Sequence, residues 1–234
     1  MNFAEKFSEP LERIKTSEGE IQLQRRGSDY EIIYNGVFIM STCNGFSEKA
    51  AVDDALDILT AKKGDNLKDI KILLGGLGMG YSLRAALDFP YVSGVTVAEC
   101  EPAVIGWNRS YLRHINNSAI NDSRTEIYEG DFYNILMDYS QKTGTGSSKG
   151  FHLIMVDTDN GSTWLSRPGN ANFYNQSGIK LIKKCLRYNG VVSFWCADRE
   201  DDFASLLKKE FQNVSYHTVI ERTGFEGCYY IAHN

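Results

Sequence analysis

Between Lys71 and Glu101 an apolar run, Ile72-Leu73-Leu74, breaks into Gly75 and Gly76 and then into glycines at alternate positions, Gly78 and Gly80. A helical pattern follows, and a second apolar run through Val95 and Val97 ends on Glu99. The order is strand, tight turn, helix, strand, acid. Glycines let a backbone turn sharply and approach a ligand, a helix N-terminus offers free N–H groups, and an acid at the next strand end accepts hydrogen bonds from ribose hydroxyls. The spacing lacks the full G-x-G-x-x-G of a dinucleotide site, which favours an adenosyl ligand without a pyrophosphate. S-adenosylmethionine or a close relative is the first candidate, with Gly75, Gly76, Gly78, Gly80 and Glu99 as its binding residues.

The surrounding chain supplies the rest of an α/β fold. After a polar lead, Glu20 to Arg26 and Tyr30 to Ser41 alternate like strands, and Asn35-Gly36 is a two-residue hairpin signal. Residues 1–46 are therefore expected to form an N-terminal β-hairpin unit, suited to an edge extension, a homodimer contact or a lid. Residues 47–234 are expected to form the main domain. Ser47 is placed to cap a helix reaching Lys63, with Ala51, Ala55, Leu56 and Leu59 as its apolar stripe. Thr125 to Asp131 reads as a third strand ending on an acid, Ser140 to Gly150 as a surface loop, and Phe151 to Asp157 as a strand buried on both faces. A helix from Tyr174 to Arg187, a turn at Asn189-Gly190, the strand at Val191 to Trp195, an amphipathic helix and a terminal strand pair complete a sheet with helices on both faces.

In such a sheet ligands bind beyond the carboxyl ends of the strands, where the glycine turn, Glu99, Asp131 and Asp157 all fall. Asp131 suits either an adenine amino group or the cap of the helix starting at Phe132. Asp157 is placed to orient or deprotonate an attacking amine, and Asp159 to hold a second positive charge; ordinary Asx-turn chemistry is the competing account. Trp107, Trp164, Trp195 and Tyr174 are candidates for an aromatic wall around a cation or an adenine, or for core.

Charge agrees with a cationic substrate. The net charge of -5 argues against nucleic acid held on a general basic surface. Cys43, Cys100, Cys185, Cys196 and Cys228 lack C-x-x-C spacing and the histidines lack ligand spacing, so no metal is expected. The charged N-terminal stretch and the lack of a long apolar run lead to the expectation of a cytoplasmic chain with no membrane partner.

ILLGGLGMGYSLRAAL, VTVAECEPAVIGWNR, IYEGD, LIMVDTDN, NFYNQSGIKLIKKCL and NGVVSFW resemble, in order and spacing, the spermidine synthase (polyamine aminopropyltransferase) family, within the class I S-adenosylmethionine-dependent methyltransferase folds. The resemblance covers about Glu20 to Trp195. It implies a Rossmann-like seven-stranded sheet with a reversed terminal strand. It also implies that Gly76 to Gly80 face the nucleoside, that Glu99 holds the ribose and Asp131 the adenine, and that Asp157 is the catalytic acid. Three departures stand out. Gly78 replaces the aspartate that in the family holds the ammonium of decarboxylated S-adenosylmethionine. Asp157-Thr158-Asp159-Asn160-Gly161 replaces D-S-x-D-P, and SEKAAVDDA near Ser47 replaces a Tyr-His-Glu triplet.

The function implied is a spermidine-synthase-like transferase using S-adenosylmethionine or its decarboxylated form. It would move a methyl or aminoalkyl group to a small amine, and the loss at Gly78 inclines the donor toward the carboxylated form. A true polyamine aminopropyltransferase and a non-catalytic nucleoside-binding module are the alternatives.

Overall fold

A computed structural model describes residues 8–16, 18–63, 67–142, 148–159, 161–163 and 165–234. Four strands come first: β1 (Ser8–Thr16), β2 (Gly19–Arg26), β3 (Asp29–Tyr34) and β4 (Val37–Ser41), joined as an antiparallel meander. Asn35 and Gly36 both have positive φ, 51° and 78°, the geometry that matches a two-residue turn to strand twist. The N-terminal unit is thus a four-stranded sheet rather than a single hairpin. β1 lies in the polar lead and is bulged between Pro10 and Glu12; as an exposed edge strand it needs little apolar sequence.

The main sheet has seven strands in the order β10-β11-β9-β8-β5-β6-β7. They are β5 (Ile70–Gly75), β6 (Val92–Glu99), β7 (Thr125–Glu129), β8 (Phe151–Val156), β9 (Leu186–Cys196), β10 (Asn213–Ile220) and β11 (Glu226–His233). β7, β6, β5, β8 and β9 are parallel neighbours, and β11 runs antiparallel between β9 and β10. This matches the expected seven-stranded sheet with one reversed strand.

Side-chain alternation divides the core in two. Ile72, Leu74, Leu153 and Met155 enter one buried cluster; Leu73, Ile154 and Val156 enter the other. Helix α1 (Phe46–Lys63) covers the first face through Ala51, Val52, Ala55, Leu56 and Leu59. Burying each such leucine contributes about 2 kcal/mol. Ile21, Leu23, Ile32 and Tyr34 of the N-terminal sheet join that same cluster. Helices α4 (Phe132–Lys142), α5 (Gln176–Cys185) and α6 (Asp201–Glu210) cover the second face. Helices α2 (Tyr81–Leu87) and α3 (Pro102–Arg109) follow β5 and β6.

Two boundaries differ from expectation. α5 starts at Gln176, capped by Asn175 accepting from Ser177 and Gly178 N–H, because a 3-10 turn takes residues 168–173. β9 begins at Leu186, before the left-handed Asn189 (φ 61°), since Leu186 already pairs with Phe151. Among the described residues no helix is long and apolar enough to cross a membrane.

Candidate active site

β5 is flanked by β6 on one side and β8 on the other, so the chain reverses its direction of travel across the sheet there, and a crevice opens at the carboxyl ends of these strands. A cavity of about 170 Å³ occupies the place. Gly76, Gly78, Glu99, Asp131, Asp157 and Asp159 line it together, as do Glu48, Glu101, Arg167 and Trp195. The N-terminal sheet supplies its apolar wall through Ile21, Ile32, Ile39 and Met40.

The glycine turn is fixed by what surrounds it. Gly76 has φ 98°, and a Cβ there would lie 2.2 Å from the Asp157 carbonyl oxygen, so the turn and the loop after β8 touch backbone to backbone. Gly78 has φ 50°, and a Cβ would meet Met40 Sδ at 2.5 Å. The position that holds an aspartate in the family is here covered by a thioether from β4. Gly75 and Gly80 are required by packing instead: added carbons would strike the Phe132 ring at 2.8 Å and Asn116 at 2.6 Å. Buried asparagines brace the turn, Asn108 donating to the Gly78 carbonyl at 2.8 Å and Asn116 to that of Met79 at 3.1 Å. No periodicity in the sequence marks either asparagine.

Each acid has a distinct environment. Glu99 is buried and accepts N–H of Leu77 at 3.0 Å and of Glu101 at 2.8 Å, which ties the end of β6 to the turn; burial pushes its carboxyl up, against those bonds. Asp131 caps α4 by accepting Tyr133 N–H at 2.7 Å and still borders the cavity. Asp159 accepts from Ser166 N–H (2.6 Å), Ser166 Oγ (2.9 Å) and Asn170 Nδ2 (3.0 Å) on one oxygen, and from Thr158 Oγ1 (2.9 Å) on the other. It therefore folds its own loop. Among the described residues Asp157, by contrast, accepts only from Ser82 Oγ, at 3.4 Å. Burial, then the closeness of the Glu48, Asp159 and Glu99 carboxyl groups, pushes it up to about 8 against the lowering by Ser82.

Three site residues escaped sequence reasoning. Glu48 lies where SEKAAVDDA stands for the Tyr-His-Glu triplet, and that placement was the available signal. Arg167 bridges to Glu101 at 3.0 Å, fastening the loop after β8 to the start of α3. Glu221, from the β10–β11 connection, accepts N–H of Gly45, Phe46 and Ser47 and so caps α1. Ser47 is consequently not the cap: α1 begins at Phe46, and a carboxylate remote in sequence satisfies its free N–H groups.

Of the aromatic residues, Trp195 lines the cavity and Trp107 is core, donating to Glu12 of β1. Tyr174 packs edge-on to Phe203 and is buried. Trp164 lies outside the described residues. Among the described residues no cluster of His, Cys, Asp or Glu is arranged to hold a metal ion.

Comparisons with known proteins bear on the fold and the lineage. Residues 51–219 match the spermine/spermidine synthase domain. Spermine synthase of Saccharomyces cerevisiae is 28% identical over 153 residues, 62% of this chain and 48% of the yeast protein. A polyamine aminopropyltransferase of Sulfolobus acidocaldarius is 34% identical over 150 residues, 62% of this chain and 46% of that protein. The chain thus spans about half the length of the curated relatives it matches. A crystal structure of spermidine synthase in complex with the transition state analogue AdoDATO superposes with a TM-score of 0.74 at 16% identity, over 96% of this chain and 72% of the other. The spermidine synthase of Thermotoga maritima gives 0.73 at 17% identity, with the same coverage. The structural likeness establishes the fold, and the domain match establishes the lineage: the chain belongs to the spermine/spermidine synthase family.

Proposed function

We propose that this protein transfers an aminopropyl group from decarboxylated S-adenosylmethionine to a small polyamine-type amine. The observation that carries the proposal is the acidic lining of the cavity. Among the described residues six carboxyl groups line it (Glu48, Glu99, Glu101, Asp131, Asp157 and Asp159), against one cation, Arg167, already paired with Glu101. A decarboxylated donor brings a sulfonium and an ammonium, and the acceptor brings further ammonium groups, so both reactants carry the sign that such a cavity favours. In this reading Glu99 receives the ribose hydroxyls, Asp131 the adenine amino group, and Gly76 and Gly78 allow the nucleoside to lie against the backbone.

Asp157 supports the chemistry. An amine attacks carbon only as the neutral base, so its ammonium must first lose a proton. An ordinary aspartate near 4 lies about six units below an alkyl ammonium near 10, whereas Asp157 at about 8 narrows the gap to about two. The proton transfer becomes easier by on the order of 5 kcal/mol. The neutral nitrogen then attacks the carbon beside the sulfonium, the C–S bond breaks with its electron pair on sulfur, and methylthioadenosine leaves. Holding the two reactants in line supplies most of the remaining advantage.

A second reading, methyl transfer from intact S-adenosylmethionine, is favoured by Gly78, where no acid stands to repel a donor carboxylate. Mass spectrometry decides between them. Incubation with decarboxylated donor and putrescine should yield methylthioadenosine and an aminopropylated amine. Methylated amine from the carboxylated donor alone would replace the first reading with the second.

A further inference from the structure

Three polar groups meet at Ser47. Its Oγ lies 2.8 Å from Glu48 Oε2 and 2.7 Å from Glu221 Oε1, and it accepts Trp195 Nε1–H at 2.9 Å. A serine hydroxyl has one proton and two acceptor lone pairs. Trp195 uses one lone pair, and the single proton serves only one of the two carboxyl groups. Glu221 has the stronger claim as an anion. Besides Ser47 Oγ it accepts Gly45, Phe46 and Ser47 N–H at 2.9, 3.0 and 2.8 Å, at a helix N-terminus where negative charge is favoured. Burial acts to raise its carboxyl, but the Ser47 hydroxyl and these backbone bonds outweigh it, and Glu221 lies below the usual range.

The Glu48 oxygen is then left 2.8 Å from an oxygen whose proton points elsewhere. Were Glu48 ionised, its own backbone N–H would favour the charge, but two lone pairs would still face each other at Ser47 in a buried site. Were it protonated, its O–H would donate into the second lone pair of Ser47, and every donor and acceptor around Oγ would be matched.

We propose that Glu48 stands in the ligand-free protein as a neutral carboxylic acid, held by Ser47, Trp195 and ionised Glu221, and that it ionises when a cationic amine enters the cavity. Amine capture is then coupled to proton release. The Glu48 O–H bond breaks, its electron pair stays on oxygen, the proton leaves to solvent, and the ammonium takes its place beside the carboxylate. The role of the amine rests on the function proposed above; the protonation of Glu48 rests on the geometry alone. Ser47 and Glu221 act as positioning residues through Glu48.

The groups that face Glu48 agree. Asp157 at the end of β8 and Glu221 in the β10–β11 connection both oppose a second negative charge there, while Lys49 on α1 favours it. Lys49 Nζ sits 4.7 Å from the ring centre of Tyr81, the neighbour on α2. Burial is the largest influence and raises Glu48.

Two measurements test the proposal. The first is calorimetric titration with putrescine at about pH 6, in buffers of different ionisation enthalpy, which counts protons exchanged. Wild type should release about one proton more per amine bound than Glu48→Gln does, and Asp157→Asn about one more than the double variant Glu48→Gln/Asp157→Asn. Glu221→Gln and Ser47→Ala should lower the count, and Ser47→Thr should restore it; a merely structural role would shift melting without changing the proton count. The extra release should fade as pH rises through the elevated Glu48 value. The second is infrared spectroscopy of the ligand-free protein in the Asp157→Asn background, where a protonated carboxyl band should be present and should be lost when Glu48→Gln is added. Equal proton counts in wild type and Glu48→Gln, or no difference in that band, would overturn the proposal. Failure of any amine to bind, with the band intact, would instead sink the proposed function and leave the protonation of Glu48 supported.

Discussion

Asp157→Asn should make the ligand-free protein more stable while disabling it. The folded protein holds the Asp157 carboxyl at about 8, against 3.8 for an ordinary aspartate. At 1.36 kcal/mol per unit, full ionisation in the folded state costs on the order of 5 kcal/mol relative to the unfolded chain; water in the cavity offsets part of that, leaving about 2–5 kcal/mol. The sign follows from linkage. Below about pH 4 both states keep the proton and the residue is neutral in its effect; between about 4 and 8 the unfolded chain ionises first, so stability falls with pH; above about 8 the full cost is present. Asparagine removes this dependence. Urea denaturation across that range should show a variant whose advantage grows from nothing near pH 4 to a plateau above pH 8. Its turnover should fall by about 10²–10⁴-fold while methylthioadenosine affinity stays nearly unchanged. A variant that is less stable, or whose stability difference is flat with pH, would refute the claim that Asp157 is a strained, proton-holding base.

Other substitutions test the scaffold around it. Gly76→Ala combines a left-handed backbone with a Cβ 2.2 Å from the Asp157 carbonyl, and should cost about 2–4 kcal/mol in chemical denaturation. Glu99→Gln leaves one of the two N–H groups of Leu77 and Glu101 facing an amide donor, and should weaken methylthioadenosine binding at least about tenfold by calorimetry. Gly78→Asp fits only when Met40 moves aside, so Gly78→Asp with Met40→Ala should raise the preference for decarboxylated over carboxylated donor about tenfold or more.

The elements that position the site were legible where one face or both were apolar. β5, β6 and β8 read directly from Ile72-Leu73-Leu74, from Val95 with Val97 and from Phe151 to Val156, and the ends of β6 and β8 then pointed to Glu99 and Asp157. β1 was not legible, because an edge strand exposed to solvent carries no apolar alternation. Glu221 was invisible for a different reason: its partners at Gly45 to Ser47 are remote in sequence, so a local reading assigned the cap to Ser47, the nearest hydroxyl. Asp159 shows the same limit. Its bonds to Ser166 and Asn170 exist only once the loop has folded back, whereas the sequence leaves Asp159 balanced between an Asx turn and a hold on a second positive charge. Asn108 and Asn116 brace the glycine turn through backbone carbonyls, a role any buried amide at those positions in space fulfils and no motif encodes.

The central claim is that this cavity is an acidic site for a cationic adenosyl sulfonium. Calorimetry with decarboxylated S-adenosylmethionine, S-adenosylmethionine and methylthioadenosine side by side tests it most directly. The account predicts that the decarboxylated donor binds tightest, that methylthioadenosine binds, and that the added carboxylate of S-adenosylmethionine weakens affinity against six lining acids. Binding of none of the three would contradict the site itself, and tighter binding of the carboxylated donor would contradict the charge argument on which aminopropyl transfer rests.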